Sequence, residues 1–285
     1  MNVTIADKIK AEIAAEEKKL EEYRSILREL EGGADSGPDT VTLQDFLREK
    51  VTFEWMIGGL IAEGTIGMLV ADPSIGKTTL LAQITLLLGT GKEIFGRGVR
   101  KKYPALMIAA EGSRAAFRSR VDRARHSLGL LADDATWFIQ GDGKRREDWQ
   151  IGSPGLERLV AESGAQFCCL DTLGYFYDGS ENDAVEWKQG VMVPLRMLAA
   201  KYNVTFCIVH HQVKENEFRR GWQKGRGSSA IFGDVDFYLR LEPVEGDATG
   251  AKRTLWVDKQ KYGLAGYEIG LVFNKDGAIF EKDLG

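Results

Sequence analysis

The sequence contains little cysteine and little histidine. Its 285 residues include three of each, and Cys168, Cys169 and Cys207 all fall inside apolar, strand-like runs. No metal-ligand spacing surrounds these cysteines, so they do not predict a metal site. We expect them to be reduced thiols buried in the core, where cysteine is frequent.

A long apolar run is also missing. No run approaches the roughly 18 residues that span a bilayer, and the N-terminus lacks the apolar segment of a signal peptide. We therefore expect a soluble, cytoplasmic protein without a membrane partner. Hydrophobic residues make up 44% of the chain and charged residues 28%, which are ordinary values and exclude a disordered or fibrous protein.

The chain has no overall excess of basic charge. Its formal net charge is −4 at pH 7, so a globally basic surface for nucleic acid is excluded. Any nucleic-acid binding must therefore be local, and it must be sought in individual loops.

The pattern of apolar and polar residues divides the chain into three segments. Apolar residues recur at three- and four-residue steps over Ile5–Leu30, which predicts a helix of coiled-coil character in segment 1–33. Such a helix either packs on the domain or serves oligomerisation or partner binding. Segment 34–52 has the composition of a linker and contains a short helical pattern. Segment 53–285 is predicted to be the main domain.

The main domain alternates between apolar, strand-like runs and amphipathic helices. The early runs are separated by enough residues for crossover helices, which predicts a sheet that is parallel at its centre. Shorter, turn-rich gaps separate the last runs and predict antiparallel edge strands, ending in a hairpin around 274–277. The fold class is therefore α/β. The predicted strands are Ile66–Val70, Ala105–Ala110, Phe167–Leu170, Thr205–Val209, Phe237–Leu241, Thr254–Val257 and Glu268–Phe273.

The first of these strands leads directly into a loop with Gly76 and Lys77 and then into an apolar helix. This order of strand, loop and helix is the context of a P-loop. In such a loop, backbone N–H groups converge on phosphate oxygens, Lys77 reaches the terminal phosphates and the Thr78 hydroxyl holds Mg²⁺. Ala71 stands where the first glycine is usual, and it tolerates most of the needed backbone conformations but not positive φ without strain. The predicted nucleotide-binding residues are Ala71, Asp72, Pro73, Ser74, Ile75, Gly76, Lys77, Thr78 and Thr79.

Two acids follow other predicted central strands. Asp171 ends an apolar run as the acid of a Walker B strand does, and it is expected to hold Mg²⁺ together with Thr78. Glu111 follows the strand at 105–110, and a carboxylate at that position points into the crevice where open α/β sheets bind ligands. We assign Glu111 as the general base that orients and deprotonates the attacking water. The alternative for both acids is an ordinary helix N-cap.

A third central strand, Thr205–Val209, ends in three polar residues. His210, His211 and Gln212 are candidates for a sensor of the γ-phosphate, and simple structural hydrogen bonding is the alternative. The histidines have no metal-ligand companions at useful spacing.

Taken together, these motifs resemble those of the RecA-fold ATPases, and among them the RepA-type and DnaB-type hexameric helicases. The segment Trp55–Thr65 before the P-loop strand looks like the corresponding RepA-type segment. Arg226–Ile231, followed by Asp234 and Asp236, is similar to the segment after the second central loop of DnaB-type helicases. The resemblance implies a RecA-like core that uses ATP and Mg²⁺ and assembles as a homo-oligomeric ring, such as a hexamer, or as a filament.

The segment Lys259-Gln-Lys-Tyr-Gly263 is similar to the paired basic finger of that family, a lysine two residues before an arginine. The resemblance implies that Lys259 and Lys261 reach the γ-phosphate of a neighbouring protomer and stabilise charge there. Here the second residue is lysine, which supplies a point charge without bidentate geometry. Ordinary surface lysines on an edge strand are the alternative.

The segment that follows the sensor strand combines basic and aromatic residues. Such a combination suits single-stranded DNA, because cations track phosphates and rings stack on bases. A solvated charged loop is the alternative. By contrast, the loop 174–186 carries four acids and would repel phosphate. The candidate nucleic-acid residues are Lys214, Arg219, Arg220, Trp222, Lys224 and Arg226.

The sequence therefore predicts an oligomeric, DNA-processing ATPase that binds single-stranded DNA, with unwinding or translocation in phage or plasmid DNA replication as its work. Two alternatives stay open. One is a short RecA-type recombination or strand-annealing ATPase. The other is a nucleotide-dependent assembly or regulatory module that docks a partner through its N-terminal helix.

Overall fold

Apolar runs of β-branched and aliphatic residues form the middle of a large twisted sheet. The computed structural model describes residues 42–48, 53–131, 136–141, 147–211 and 229–284. The chain divides into two compact units, Met1–Thr52 and Phe53–Gly285. In the first unit, the described residues form the short helix α1 (Leu43–Arg48).

In the second unit, a small antiparallel pair precedes the main sheet, and strands then alternate with helices. The pair consists of β1 (Trp55–Ile57) and β2 (Ile61–Ala62). The main-sheet strands are β3 (Ile66–Ala71), β4 (Ala105–Ala109), β5 (Thr136–Gln140), β6 (Phe167–Asp171), β7 (Thr205–His211), β8 (Phe237–Pro243), β9 (Lys252–Gln260), β10 (Tyr267–Asn274) and β11 (Ile279–Lys282). The helices are α2 (Lys77–Thr90), α3 (Arg114–Ser127), α4 (Pro154–Ser163), α5 (Ala184–Trp187), α6 (Val193–Tyr202) and α7 (Ser229–Asp234).

The predicted division of the sheet into a parallel centre and an antiparallel edge is confirmed. The strand order across the described residues is β11-β10-β9-β8-β3-β7-β6-β4-β5. Strands β8, β3, β7, β6, β4 and β5 are parallel to one another, whereas β9, β10 and β11 continue the sheet in antiparallel pairs. The hairpin turn after Asn274 is also present, with Asn274 opposite Ile279.

The sequence analysis did not predict β5 or the β1–β2 pair. β5 is a five-residue edge strand that pairs with β4 alone among the described strands. The β1–β2 pair is short and has a register shift between Trp55 and Ile57. Both elements are brief enough that apolar periodicity does not distinguish them from loops.

Two apolar clusters, one on each face of the sheet, make this a three-layer α/β structure. One cluster joins α2 to side chains such as Leu69, Val209 and Leu239. The other joins α4 and α6 to the alternate side chains, such as Met68 and Ile208. Because successive side chains of a strand point to opposite faces, neighbouring residues at the end of a strand face different helical layers. Among the described residues, no helix is long and apolar enough to cross a membrane.

Candidate nucleotide-binding site

The loop between β3 and α2 has a backbone shape that its sequence explains. Gly76 has φ 112° and Ser74 has φ 66°, and a Cβ at Gly76 would lie 2.7 Å from the ring of Phe280. Glycine is therefore needed at position 76 for both conformation and space. Ala71 lies within β3 in regular pairing with His211 and Leu241, so alanine is accommodated there. The first turn of α2 contains no acidic residue, which leaves its positive end open to an anion.

The Lys77 side chain is folded back over its own loop. Its Nζ donates to the carbonyl oxygens of Ala71 at 2.9 Å and Asp72 at 2.8 Å, and the residue is 6% exposed. Burial lowers the pKa of Lys77, although the nearby carboxylates of Asp171, Glu111 and Asp72 act in the opposite direction. The ammonium group is thus desolvated and held over the loop by carbonyl groups.

Thr78 and Asp171 meet directly across the site. The Thr78 hydroxyl donates to Asp171 Oδ2 at 2.6 Å. Burial raises the pKa of Asp171 to about 6, the hydrogen bond from Thr78 opposes this rise, and the charge of Glu111 adds to it. A hydroxyl and a carboxylate side by side are hard oxygen ligands of the kind that Mg²⁺ takes together with phosphate oxygens and water. These two residues therefore fit the metal site that the sequence predicts.

Glu111 and His211 form a second cluster beside Lys77. Glu111 Oε1 accepts a hydrogen bond from the Thr172 hydroxyl at 2.8 Å and lies 3.5 Å from His211 Nε2. His211 Nδ1 is 3.4 Å from Lys77 Nζ. The hydrogen bond with His211 lowers the pKa of Glu111, and burial opposes that effect. His211 therefore links the phosphate-binding lysine to the carboxylate assigned to water activation.

The three predicted sensor residues do not share one location. His210 is buried on the opposite face of the sheet from His211, and its Nε2 lies 3.2 Å from Glu181 Oε2. Glu181 belongs to the acidic loop 174–186, and other acids of that loop also serve local structure. Asp183 accepts two backbone hydrogen bonds at the start of α5, and Glu186 accepts one from Ser180. Gln212 lies outside the described residues.

A cavity of about 550 Å³ opens over the loop. Residues that the sequence analysis did not single out form its opposite side. They come from α3 (Arg120, Arg123), from β9 (Arg253) and from the β10–β11 hairpin (Phe273, Lys275, Ala278). The loop side consists of Pro73, Ser74, Ile75, Gly76, Lys77, Thr78 and Thr79.

Two of these arginines tie separate elements together across the cavity. Arg253 Nε donates to the carbonyl of Ile75 at 3.4 Å, and Arg123 Nη1 donates to the carbonyl of Lys275 at 3.2 Å. These cations add positive potential around the P-loop, which suits a polyphosphate. A usable sequence signal was the run of five arginines between positions 114 and 125 directly after Glu111; for Arg253 there was none.

Lys259 and Lys261 lie at the other end of the sheet. Gln260, between them, is opposite Phe237, which in turn is opposite Gly67 near the start of β3. The four residues from Gly67 to Ala71 span about 13 Å at the usual rise of a strand. The two lysines are accordingly not among the residues that line the cavity of their own chain. The candidate nucleic-acid residues 214–226 lie outside the described residues.

The strand-loop-helix, the paired Thr78 and Asp171, and the Glu111–His211 cluster define a P-loop ATPase domain. The chain belongs to the AAA domain family (AAA_25), whose model matches residues 36–217. Its fold is similar to two solved structures. One, the ATPase domain of a helicase, has a TM-score of 0.63 at 11% identity and covers 84% of this chain and 94% of that chain. The other, the RadB recombinase, has a TM-score of 0.53 at 15% identity and covers 78% and 91%. The core is thus RecA-like.

Curated relatives include two DNA repair proteins named RadA. The Campylobacter jejuni protein is 24% identical over 284 residues, covering 94% of this chain and 55% of the relative. The Mycobacterium tuberculosis protein is 25% identical over 224 residues, covering 79% of this chain and 40% of the relative. The chain therefore spans about half the length, or less, of these relatives.

Proposed function

We propose that this chain is a DNA-processing ATPase that couples ATP hydrolysis to movement on single-stranded DNA. The observation that carries the proposal is the contiguous set Lys77, His211, Glu111, Thr172, with Thr78 bonded to Asp171, inside one cavity. The names of the relatives, a DNA repair protein and a recombinase, support DNA as the second ligand.

Each part of the site has a role in ATP binding. The loop N–H groups and Lys77 hold the phosphates, and Lys77 exchanges its carbonyl partners for phosphate oxygens. Thr78 and Asp171 would hold Mg²⁺, which when bound neutralises charge on the phosphates. The nucleoside extends into the part of the cavity between α3 and the β10–β11 hairpin, where Phe273 supplies an apolar ring and Arg253 a cation.

Glu111 and His211 carry the hydrolytic step. Glu111, ionised at neutral pH because its pKa is lowered, orients a water and takes its proton. The water oxygen bonds to the γ-phosphorus as the bond to the bridging oxygen breaks, which leaves ADP and phosphate. His211 contacts both Lys77 and Glu111, so it senses whether the γ-phosphate is present and passes that state to the segment after β7.

Lys259 and Lys261 complete the site of a neighbouring chain. Their location at the amino end of β3 separates them from their own P-loop, which supports action in trans within a ring, such as a hexamer, or a filament. Cations supplied in this way stabilise charge on the transferred phosphoryl group.

The segment between β7 and α7 is the proposed DNA contact. It begins directly after His211, so a change at the γ-phosphate is transmitted along one strand to that segment. Lys214, Arg219, Arg220, Trp222, Lys224 and Arg226 would supply the cations and the stacking ring for single-stranded DNA.

The test is the ATPase rate of the full chain with and without single-stranded DNA, at several protein concentrations. We expect stimulation by DNA and a steep dependence on protein concentration, because active sites are shared. Arg219→Ala with Arg220→Ala should remove the stimulation and retain the basal rate, whereas Arg97→Ala, remote from the cavity, should change neither. A rate that ignores DNA at all concentrations would contradict the proposal.

A second candidate function is strand pairing or annealing in recombinational repair, and the RadA and RadB relatives favour it. A forked DNA substrate separates the two, because a translocating helicase displaces the paired strand in the presence of ATP. Annealing of complementary strands without displacement would favour recombination. ATPase that ignores DNA but changes on deletion of residues 1–33 would favour the assembly module.

A further inference from the structure

Asp236 joins three elements at the amino end of the sheet. It precedes β8 and is fully buried. Its N–H donates to the carbonyl of Ile66 at 2.7 Å, and its carbonyl accepts from the N–H of Lys261 at 2.8 Å. Its carboxylate also accepts from the N–H of Ile66 at 2.9 Å. Asp236 is therefore bonded to the first residue of β3 and to the residue that follows β9.

The same carboxylate has two cationic neighbours, one on each oxygen. Arg196 Nη1 lies 2.5 Å from Oδ2, and Lys261 Nζ lies 3.4 Å from Oδ1. Burial would raise the pKa of Asp236, but the hydrogen bonds from Arg196 and Ile66 lower it below its usual value. Arg196 alone neutralises the buried charge, so the contact with Lys261 is an addition to what burial requires.

Lys259 and Lys261 need a counter-charge because they are separated by two residues and carry the same charge. Burial lowers the pKa of Lys259; Asp236 opposes that change and Lys261 reinforces it. Lys259 Nζ donates to the carbonyls of Phe232 at 2.6 Å and Gly233 at 2.7 Å. The side chain of Lys261 is 56% exposed, so its ammonium group is held at the surface where a second chain can reach it.

We infer that Asp236 is a positioning residue that aims Lys261 at the γ-phosphate bound by the neighbouring chain. It also keeps the two lysines charged while they lie close together. The inference rests on the proposed sharing of active sites between chains. It assigns to Asp236 an effect on the ATP of the neighbour, since its own P-loop lies at the far end of β3.

The first test is Asp236→Asn, which retains an acceptor for the N–H of Ile66 but loses the charge that holds Lys261. We expect kcat to fall about tenfold to a hundredfold, as for a misplaced catalytic group, while the affinity for a fluorescent ATP analogue stays unchanged. Asp234→Asn is the matched control and should keep the wild-type kcat. Loss of nucleotide affinity in Asp236→Asn, or an unchanged kcat, would overturn the inference.

Mixing variants separates an effect in trans from a structural one. Lys77→Ala chains cannot bind ATP productively but present an intact Lys261. An equal mixture of Asp236→Asn and Lys77→Ala chains should therefore hydrolyse ATP faster than the sum of the two alone. The reference mixture is Lys261→Ala with Lys77→Ala. Failure of the reference mixture contradicts the shared site itself, whereas failure of the Asp236→Asn mixture alone contradicts only the role of Asp236.

A second variant covers loss of folding in Asp236→Asn. The double change Asp236→Asn and Arg196→Met removes the buried carboxylate together with the cation that neutralises it, so no buried charge is left unpaired. The same mixing result is expected from this pair. In addition, Asp236→Asn in a Lys261→Ala background should cost no further activity, and an additive loss would show that Asp236 acts by another route.

Discussion

The two ends of β3 carry opposite kinds of charge arrangement. At the carboxyl end, Lys77 lies among Asp171, Glu111 and His211, and an open cavity lies over them. At the amino end, Lys259 and Lys261 are held by backbone carbonyls and by the buried Asp236. The first arrangement has room for a polyphosphate and the groups to cleave it; the second presents cations that its own chain holds in place.

The difference teaches how one small domain can build an active site from two copies. A cation that stabilises a transition state should not be neutralised beforehand by the carboxylates of its own site. Placing Lys259 and Lys261 about 13 Å along β3 from the loop keeps them away from Asp171 and Glu111. On the proposed function, activity then depends on assembly, and variants at the two ends should differ in whether a second chain can rescue them.

The largest effect is expected for Lys77→Ala. Removal of the ammonium group eliminates the cation nearest to the phosphates, so ATP turnover should fall about a thousandfold. Steady-state phosphate release measures this. Lys92→Ala is a suitable control, because Lys92 also donates to a backbone carbonyl, that of Leu128, but at the surface. Turnover that survives in Lys77→Ala would break the assignment of catalysis to the carboxyl end.

Glu111→Gln should have the next largest effect. The amide has the same shape as the carboxylate but cannot take a proton, so turnover should fall about a hundredfold. ATP binding should persist, since Glu111 is not placed on the phosphates, and a fluorescent ATP analogue can report it. Glu186→Gln, which changes a carboxylate bonded to the Ser180 N–H, should behave as wild type. Equal loss of binding and turnover would contradict the role of general base.

A smaller effect is expected from the two adjacent histidines, and it should differ in kind. His211→Ala removes the link between Lys77 and Glu111, so turnover should fall about tenfold with little change in stability. His210→Ala removes a buried side chain beside Glu181 on the other face, so it should lower the free energy of unfolding by about 1–3 kcal/mol and spare turnover. Urea titration and phosphate release measure the pair. Identical phenotypes would show that the faces are not functionally distinct.

The contacts within the P-loop site were largely predictable because they depend on local sequence or on strand ends. Gly76, Lys77 and Thr78 lie in one loop, and Asp171 and Glu111 each follow an apolar run. Parallel strands place their carboxyl ends at the same edge of a sheet, so acids that are distant in sequence converge there. The choice between His210 and His211 needed the phase of β7, which sequence alternation in a fully buried strand does not give.

The rest of the site depends on contacts between elements that are far apart in sequence. Arg120 and Arg123 reach the cavity only because α3 packs beside α2, and Arg253 only because the antiparallel strands extend the sheet past β8. Asp236 was noted as part of a motif, but its bonds to Ile66, Arg196 and Lys261 follow from the meeting of β3, α6 and the end of β9. Side-chain patterns within one segment do not encode such meetings.

The smallest expected effect concerns stability at the amino end. Lys259→Ala removes two short hydrogen bonds from a charged donor to the end of α7, and the free energy of unfolding should fall by about 1–2 kcal/mol at a partly exposed site. Lys261→Ala should cost less than about 1 kcal/mol, because its ammonium group is more exposed and its contact with Asp236 is longer. Urea denaturation of dilute protein measures both in separate chains. If both cost stability equally and mixing with Lys77→Ala rescues neither, the two lysines are structural, and the contrast between the two ends of β3 is one of packing alone.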